Sequence, residues 1–257
     1  MQLHRIYSAI DELAPFSLSR QYCEKYGAHD NSGTIVDCGE EIDSILFSLD
    51  CSAAAVERAK QINANCIVTH HPAIYMPVSQ LLATGEGKNV LACIRAGISI
   101  ISAHLNLDCA KGGIDESLMF ALGGKNAAIM HELTGGGYGR VYDVERTDAE
   151  AFAAKVKETF KTERAMLYGS GKISRVASFC GAGLDEDAIA FAKAQGADLV
   201  VSSDLKHHVI CAAVEAGLCI LTLPHYTAEN YGFSRFFSAF VKKTGAKAQF
   251  FEDKRFI

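Results

Sequence analysis

Long hydrophobic runs, an excess of positive charge and paired cysteine motifs are all missing from this 257-residue chain. The longest uncharged apolar stretch, Ile98 to Leu107, is interrupted by Ser, His and Asn and falls well short of the roughly 20 residues a membrane helix needs. Met1 to Ser8 carries His4 and Arg5 with no apolar segment behind them, so a signal peptide is not expected. With 25 Lys and Arg against 30 Asp and Glu, the formal charge of −5 argues against broad electrostatic binding to nucleic acid. A small anionic ligand remains compatible with it. The nine cysteines (Cys23, Cys38, Cys51, Cys66, Cys93, Cys109, Cys180, Cys211 and Cys219) include no CxxC, which removes the zinc-ribbon spacing. Their odd number and apolar settings, such as Asn65-Cys66-Ile67-Val68, read as free thiols in a reducing cytoplasm.

What is present is a globular composition, 49% hydrophobic and 21% charged, long enough for one large domain or two lobes. Short apolar runs alternate with helix-period segments, the pattern of an α/β fold. Strands are expected at Ser44 to Leu49, Cys66 to Thr69 and Ile98 to Ser102, with helices over Ala53 to Ile62 and Asn89 to Ala96. A second passage repeats the form, with strands at Val176 to Cys180, Leu199 to Ser202 and Leu218 to Thr222. Its helices are expected over Glu186 to Gln195 and Lys206 to Ala216.

Laid side by side, the passages match at Leu49-Asp50 with Leu184-Asp185 and at Arg95-Ala96-Gly97-Ile98 with Glu215-Ala216-Gly217-Leu218. After the last strand of each comes a histidine with a carboxylate four residues on, His104 and Asp108, then His225 and Glu229. Any two βαβαβ units share helix-stopping glycines. Packing does not demand the His-x-x-x-acid, so two similar α/β lobes from an internal duplication are expected, over residues 1–125 and 126–257. The glycine-rich stretch near 123–140 is their expected connection, followed by an amphipathic helix over Asp148 to Phe160.

In parallel α/β sheets, ligands gather beyond the carboxyl ends of the strands. His70-His71-Pro72 stands directly after one such strand, and Pro72 biases His71 toward an extended backbone. Two of only four prolines, Pro72 and Pro224, flank candidate ligands. Asp108 suits either a metal ligand beside His104 or the cap of the helix expected over Gly112 to Ala121. Together His70, His71, Asp108, His225 and Glu229 make a donor set for two divalent ions, with zinc, manganese and iron all fitting imidazole and carboxylate. His104 is either a direct ligand or an orienting group for Asp108 or a bound water. In Ser202-Ser203-Asp204-Leu205-Lys206-His207-His208, Asp204 reads as a helix cap and Lys206 as a solvated charge, or His208 as a general acid–base and Lys206 as an anion partner. Gly135 to Arg140 reads as a connecting loop or as a phosphate cradle with Arg140 supplying charge. It is not a Walker motif.

Five motifs carry a resemblance. Asp30-Asn31-Ser32-Gly33, the run Val68 to Tyr75, the run Ser102 to Asp108, the run Ser203 to His208 and the run Pro224 to Glu229 occur in the order found in the Nif-three-like family, widely labelled GTP cyclohydrolase type two. The resemblance spans about residues 30 to 230 and lacks the inserted middle domain of longer members. It implies two lobes facing a shared dinuclear metal site held by His70, His71, Asp108, His225 and Glu229, and a homohexameric ring. It also implies hydrolytic opening of the guanine ring of GTP with loss of formate. Pro224 replaces the usual Gly, Ser202-Ser203 the usual Thr-Gly, and Thr34 to Cys38 a more typical Leu-Gln-Val-Gly. Two functions follow: a metal-dependent hydrolase with a small-molecule substrate, or a non-catalytic metal-binding regulator acting through protein partners.

Overall fold

The computed structural model describes residues 1–85 and 87–257. By internal contacts the chain divides into two compact units, residues 1–110 with 233–255, and residues 111–232 with 256–257. Lobes drawn at 1–125 and 126–257 differ from these units in two places. Helix Ile114–Ala121 packs on strands of the second unit, and the last strand of the chain pairs inside the first.

In chain order the elements are α1 (Leu3–Leu13), α2 (Phe16–Tyr26), β1 (Gly33–Val36), β2 (Ile45–Ser48), α3 (Ala53–Gln61), β3 (Cys66–Thr69), α4 (Gly87–Arg95), β4 (Ser99–Ser102) and α5 (Leu105–Cys109). There follow α6 (Ile114–Ala121), β5 (Lys125–Leu133), β6 (Gly136–Asp148), α7 (Ala149–Phe160), β7 (Met166–Tyr168), β8 (Lys172–Ser178), α8 (Glu186–Ala194) and β9 (Leu199–Ser202). The chain closes with α9 (His207–Glu215), β10 (Cys219–Thr222), α10 (His225–Thr244) and β11 (Ala248–Phe251). The first part of α10 belongs to the second unit and the part from Phe233 onward to the first.

The first unit holds a five-stranded sheet in the order β1-β4-β3-β2-β11. Strands β2, β3 and β4 run parallel, and every residue in them is buried. That burial on both faces is why they read as continuous apolar runs rather than alternating ones. Adjacent residues of β2 serve opposite faces. Leu46 joins Val56, Ile67 and Ile100 in one cluster, while Phe47 meets Phe233, Phe236 and Phe240 of α10. The Ser52 hydroxyl caps α3 by accepting from the Ala55 amide.

The second unit holds a six-stranded sheet in the order β5-β6-β8-β9-β10-β7. Here too three successive strands, β8, β9 and β10, run parallel, and β7 lies antiparallel on β10 as β1 does on β4. Asp185 caps α8 by accepting from the Ala188 amide. The glycine-rich stretch expected to be a connection is instead a long antiparallel hairpin, β5 with β6, joined through a two-residue turn at Thr134 and Gly135. Glycine density marked a tight turn and a close strand approach, not a flexible link. All nine cysteines are free thiols. No helix among the described residues is long and apolar enough to cross a membrane.

Candidate metal centre

In the first unit, β3 ends at Thr69 and delivers His70 and His71 just beyond the sheet. The end of β4 delivers His104, and the single turn of α5 brings Asp108 back beneath it. One ring nitrogen from each of His70, His71 and His104 lies within 4.8 Å of the others. His70 is fully buried, and its Nε2 stands 3.5 Å from an Asp108 oxygen. Asp108 is inside α5 and Gly113 caps α6, so the capping role weighed for Asp108 is filled by another residue.

The three imidazoles of this cluster are held by the same atom. His70 Nδ1 donates to the Ala103 carbonyl at 2.8 Å, His71 Nδ1 pairs with Asp50 at 2.7 Å and His104 Nδ1 pairs with Asp30 at 2.7 Å. Fixing Nδ1 as the N–H fixes Nε2 as the lone pair, which is how protein carboxylates and carbonyls orient metal-binding histidines. Asp30 is further gripped by the Ser19 and Ser32 hydroxyls at 2.6 Å each. Burial pushes the Asp30 carboxyl upward, but His104 and the two hydroxyls outweigh it and bring it down to about 2. For His104, burial favours the neutral ring, yet Asp30 and Asp108 reverse that and raise its pKa.

The second unit carries a similar arrangement. His225 opens α10 and Glu229 sits one turn on, with His225 Nε2 2.8 Å from a Glu229 oxygen. His225 Nδ1 pairs with Asp204 at 2.5 Å. Asp204 is therefore an orienting group for His225, not a helix cap; Lys206 occupies the cap position of α9. Asp204 also adopts a left-handed backbone, φ +51°, a conformation that is rare outside Gly, Asn and Asp. Gly181 packs against this pair. A Cβ built there would lie 2.8 Å from a Glu229 oxygen, so only glycine leaves the carboxylate its place.

Three other expected residues are not among these donor groups. Arg140 is buried in β6, its guanidinium bonded to Asp115, whose carboxyl burial pushes upward. Lys206 and His208 are exposed at the start of α9, and neither side chain makes a hydrogen bond or ion pair among the described residues. The carboxylates Asp30 and Asp50 had no role assigned from the sequence. Asp50 lies two residues beyond the end of β2, where ligands gather in such sheets, and that position was the available signal.

A family model described as Duf34/NIF3 (NGG1p interacting factor 3) matches residues 1–254. A Clostridium perfringens protein named GTP cyclohydrolase 1 type 2 homolog is 31% identical over 238 residues, covering 89% of this chain and 87% of the relative. A Methanocaldococcus jannaschii protein of the same name is 26% identical, covering 92% and 93%. Among solved structures, a Staphylococcus aureus hypothetical protein matches with a TM-score of 0.85 at 23% identity, covering 99% and 96%. Reduced HcgD from Methanocaldococcus jannaschii matches with a TM-score of 0.82 at 24% identity, covering 98% of each chain. These two share the fold.

Proposed function

The chain belongs to the Duf34/NIF3 family, and we propose that it binds two divalent metal ions through His70, His71, Asp108, His225 and Glu229 and hydrolyses a GTP-like substrate. The observation that carries the metal reading is the anchoring of the three ligand imidazoles, His70, His71 and His225, by Nδ1 to Ala103, Asp50 and Asp204. Such anchoring leaves Nε2 as the lone-pair donor in each of these three rings. Mixed imidazole and carboxylate donors fit zinc, manganese or iron, and the candidate donor groups among the described residues contain no thiolate to favour a soft metal. Divalent ions in such a setting supply Lewis acidity and make hydroxide available near neutral pH.

The chain's own residues complete the reading. His104, held by Asp30, exchanges a proton at Nε2, and its raised pKa suits an acid that is charged before it gives the proton up. His208 is assigned a lesser proton-transfer role from its exposed position. Lys206 is the cation assigned to the substrate's phosphates, because the guanidinium of Arg140 is already committed to Asp115. The substrate class rests on the names of the relatives, the homohexameric ring on the family resemblance, and the cytoplasmic location on the free thiols.

The test is metal content per chain, by elemental analysis of untagged protein, for wild type, His71→Ala and Glu229→Ala, run beside an assay of formate release from GTP. Near two ions in wild type, fewer in both variants and formate from the loaded protein are the expected results. Two ions without formate would retain the site and remove the substrate, leaving the regulator reading. Metal content unchanged in both variants would overturn the site.

A further inference from the structure

Tyr75 lies four residues beyond His71 in the run that carries the histidine pair, and its ring is 45% exposed. A single exposed aromatic side chain is ordinary by itself, and what distinguishes Tyr75 is how it is held. This one is fixed three times over. Its hydroxyl donates to the His29 carbonyl at 2.8 Å, its own carbonyl bonds His29 Nε2 at 2.8 Å, and the carbonyl of Ile74 accepts from Asn31 at 2.5 Å. The ring is nearly perpendicular to that of His29, with centroids 5.2 Å apart at 84°, and to that of His104, 6.0 Å away at 87°. His104 in turn is 5.1 Å from His70 by ring centroids.

A tyrosine whose hydroxyl is spent on the backbone has no proton to offer a reaction. What it presents beside the donor cluster is a rigid π-face. We infer that Tyr75 is a stacking platform that positions a planar heteroaromatic ligand, a nucleobase or a ring of similar size, against the His70–His71–His104 cluster. Because the clamp to His29 and Asn31 forms within the protein, the ring is placed before the ligand arrives and little side-chain ordering is left for binding. Stacking tolerates many ring types, so Tyr75 selects planar over non-planar ligands rather than one base over another. This inference rests on the proposed metal centre for the location of the ligand, and it adds the class of ligand and a residue that touches it.

The test compares two anions on metal-loaded protein by titration calorimetry: GTP, which carries a planar base, and tripolyphosphate, which carries none. Tyr75→Ala is expected to weaken GTP binding by about 5- to 150-fold, the range that stacking worth about 1–3 kcal/mol per base implies. Tripolyphosphate affinity and metal content should stay as in wild type, and Tyr75→Phe, which keeps the ring, should retain most of the GTP affinity. Equal losses for both anions, or none for GTP, would overturn the platform while leaving the metal centre standing. So would tripolyphosphate binding to wild type with no binding of GTP. A protein that takes up no metal would overturn the metal reading alone, and the same comparison of GTP with tripolyphosphate on the metal-free chain would then decide the platform.

Discussion

The Asp204 carboxylate stands 2.5 Å from His225 Nδ1, matching in the second unit what Asp30 does for His104 in the first at 2.7 Å. Both carboxylates lock the tautomer that leaves Nε2 as the lone-pair nitrogen. Asp204→Asn and Asp50→Asn should therefore each lower metal affinity by about 10- to 100-fold while leaving the fold intact, the usual loss when a histidine's supporting partner is removed. Competition with a chelator, read beside circular dichroism, checks this. Affinity within about twofold of wild type would show that the carboxylates do not support ligands.

Gly181 makes a separate prediction about Glu229. With φ at +60°, an alanine there is strained by about 1 kcal/mol, and its Cβ intrudes on the Glu229 oxygen 2.8 Å away. Gly181→Ala should cost more metal than stability. Ion content measured against the thermal midpoint separates the two, and a shift in the midpoint with full metal content would refute the prediction.

Arg140 should behave as a structural residue. It is 2% exposed and paired with the fully buried Asp115, which also accepts from the Gly139 amide at 3.1 Å. Removing one member of a buried pair strands the other charge, so Arg140→Ala is expected to destabilise the protein by about 3–5 kcal/mol. Denaturant unfolding gives the value. A stable variant with weakened phosphate binding would return Arg140 to the ligand site.

The C-terminal segment gives a pH prediction. Hydrogen bonds from Arg255, with a further one from Ser52, outweigh burial and hold the Asp253 carboxyl down at about 2. A carboxyl whose folded pKa lies below its unfolded value adds stability that is complete above about pH 4 and fades as the pH drops toward 2. Asp253→Asn should thus be less stable than wild type at pH 6 and lose less on acidification. Unfolding free energies at pH 6 and pH 3 test it, and parallel losses in both proteins would contradict it.

Much of the frame was legible because the parallel strands are buried on both faces and so appear as uninterrupted apolar runs. Val200-Val201-Ser202 and Ile67-Val68-Thr69 announce strands without any neighbour's help. The edges were harder. Strands β1, β7 and β11 are short and partly exposed, and their pairing with β4, β10 and β2 depends on distant residues that local pattern does not contain.

The sequence by itself determined the α/β class, the repeated βαβαβ passage and the histidines and carboxylates at strand ends, because periodicity and strand-end position are local properties. Tertiary structure alone decided that Asp30 would serve His104 across 74 positions of sequence, and that Asp50 would serve His71. It also decided that the glycine-rich stretch would be a hairpin, and that Arg140 would turn inward to Asp115. Each of these depends on which group lies within hydrogen-bonding reach of another. Hydrogen bonds act over about 3 Å, and folding alone brings such distant residues that close.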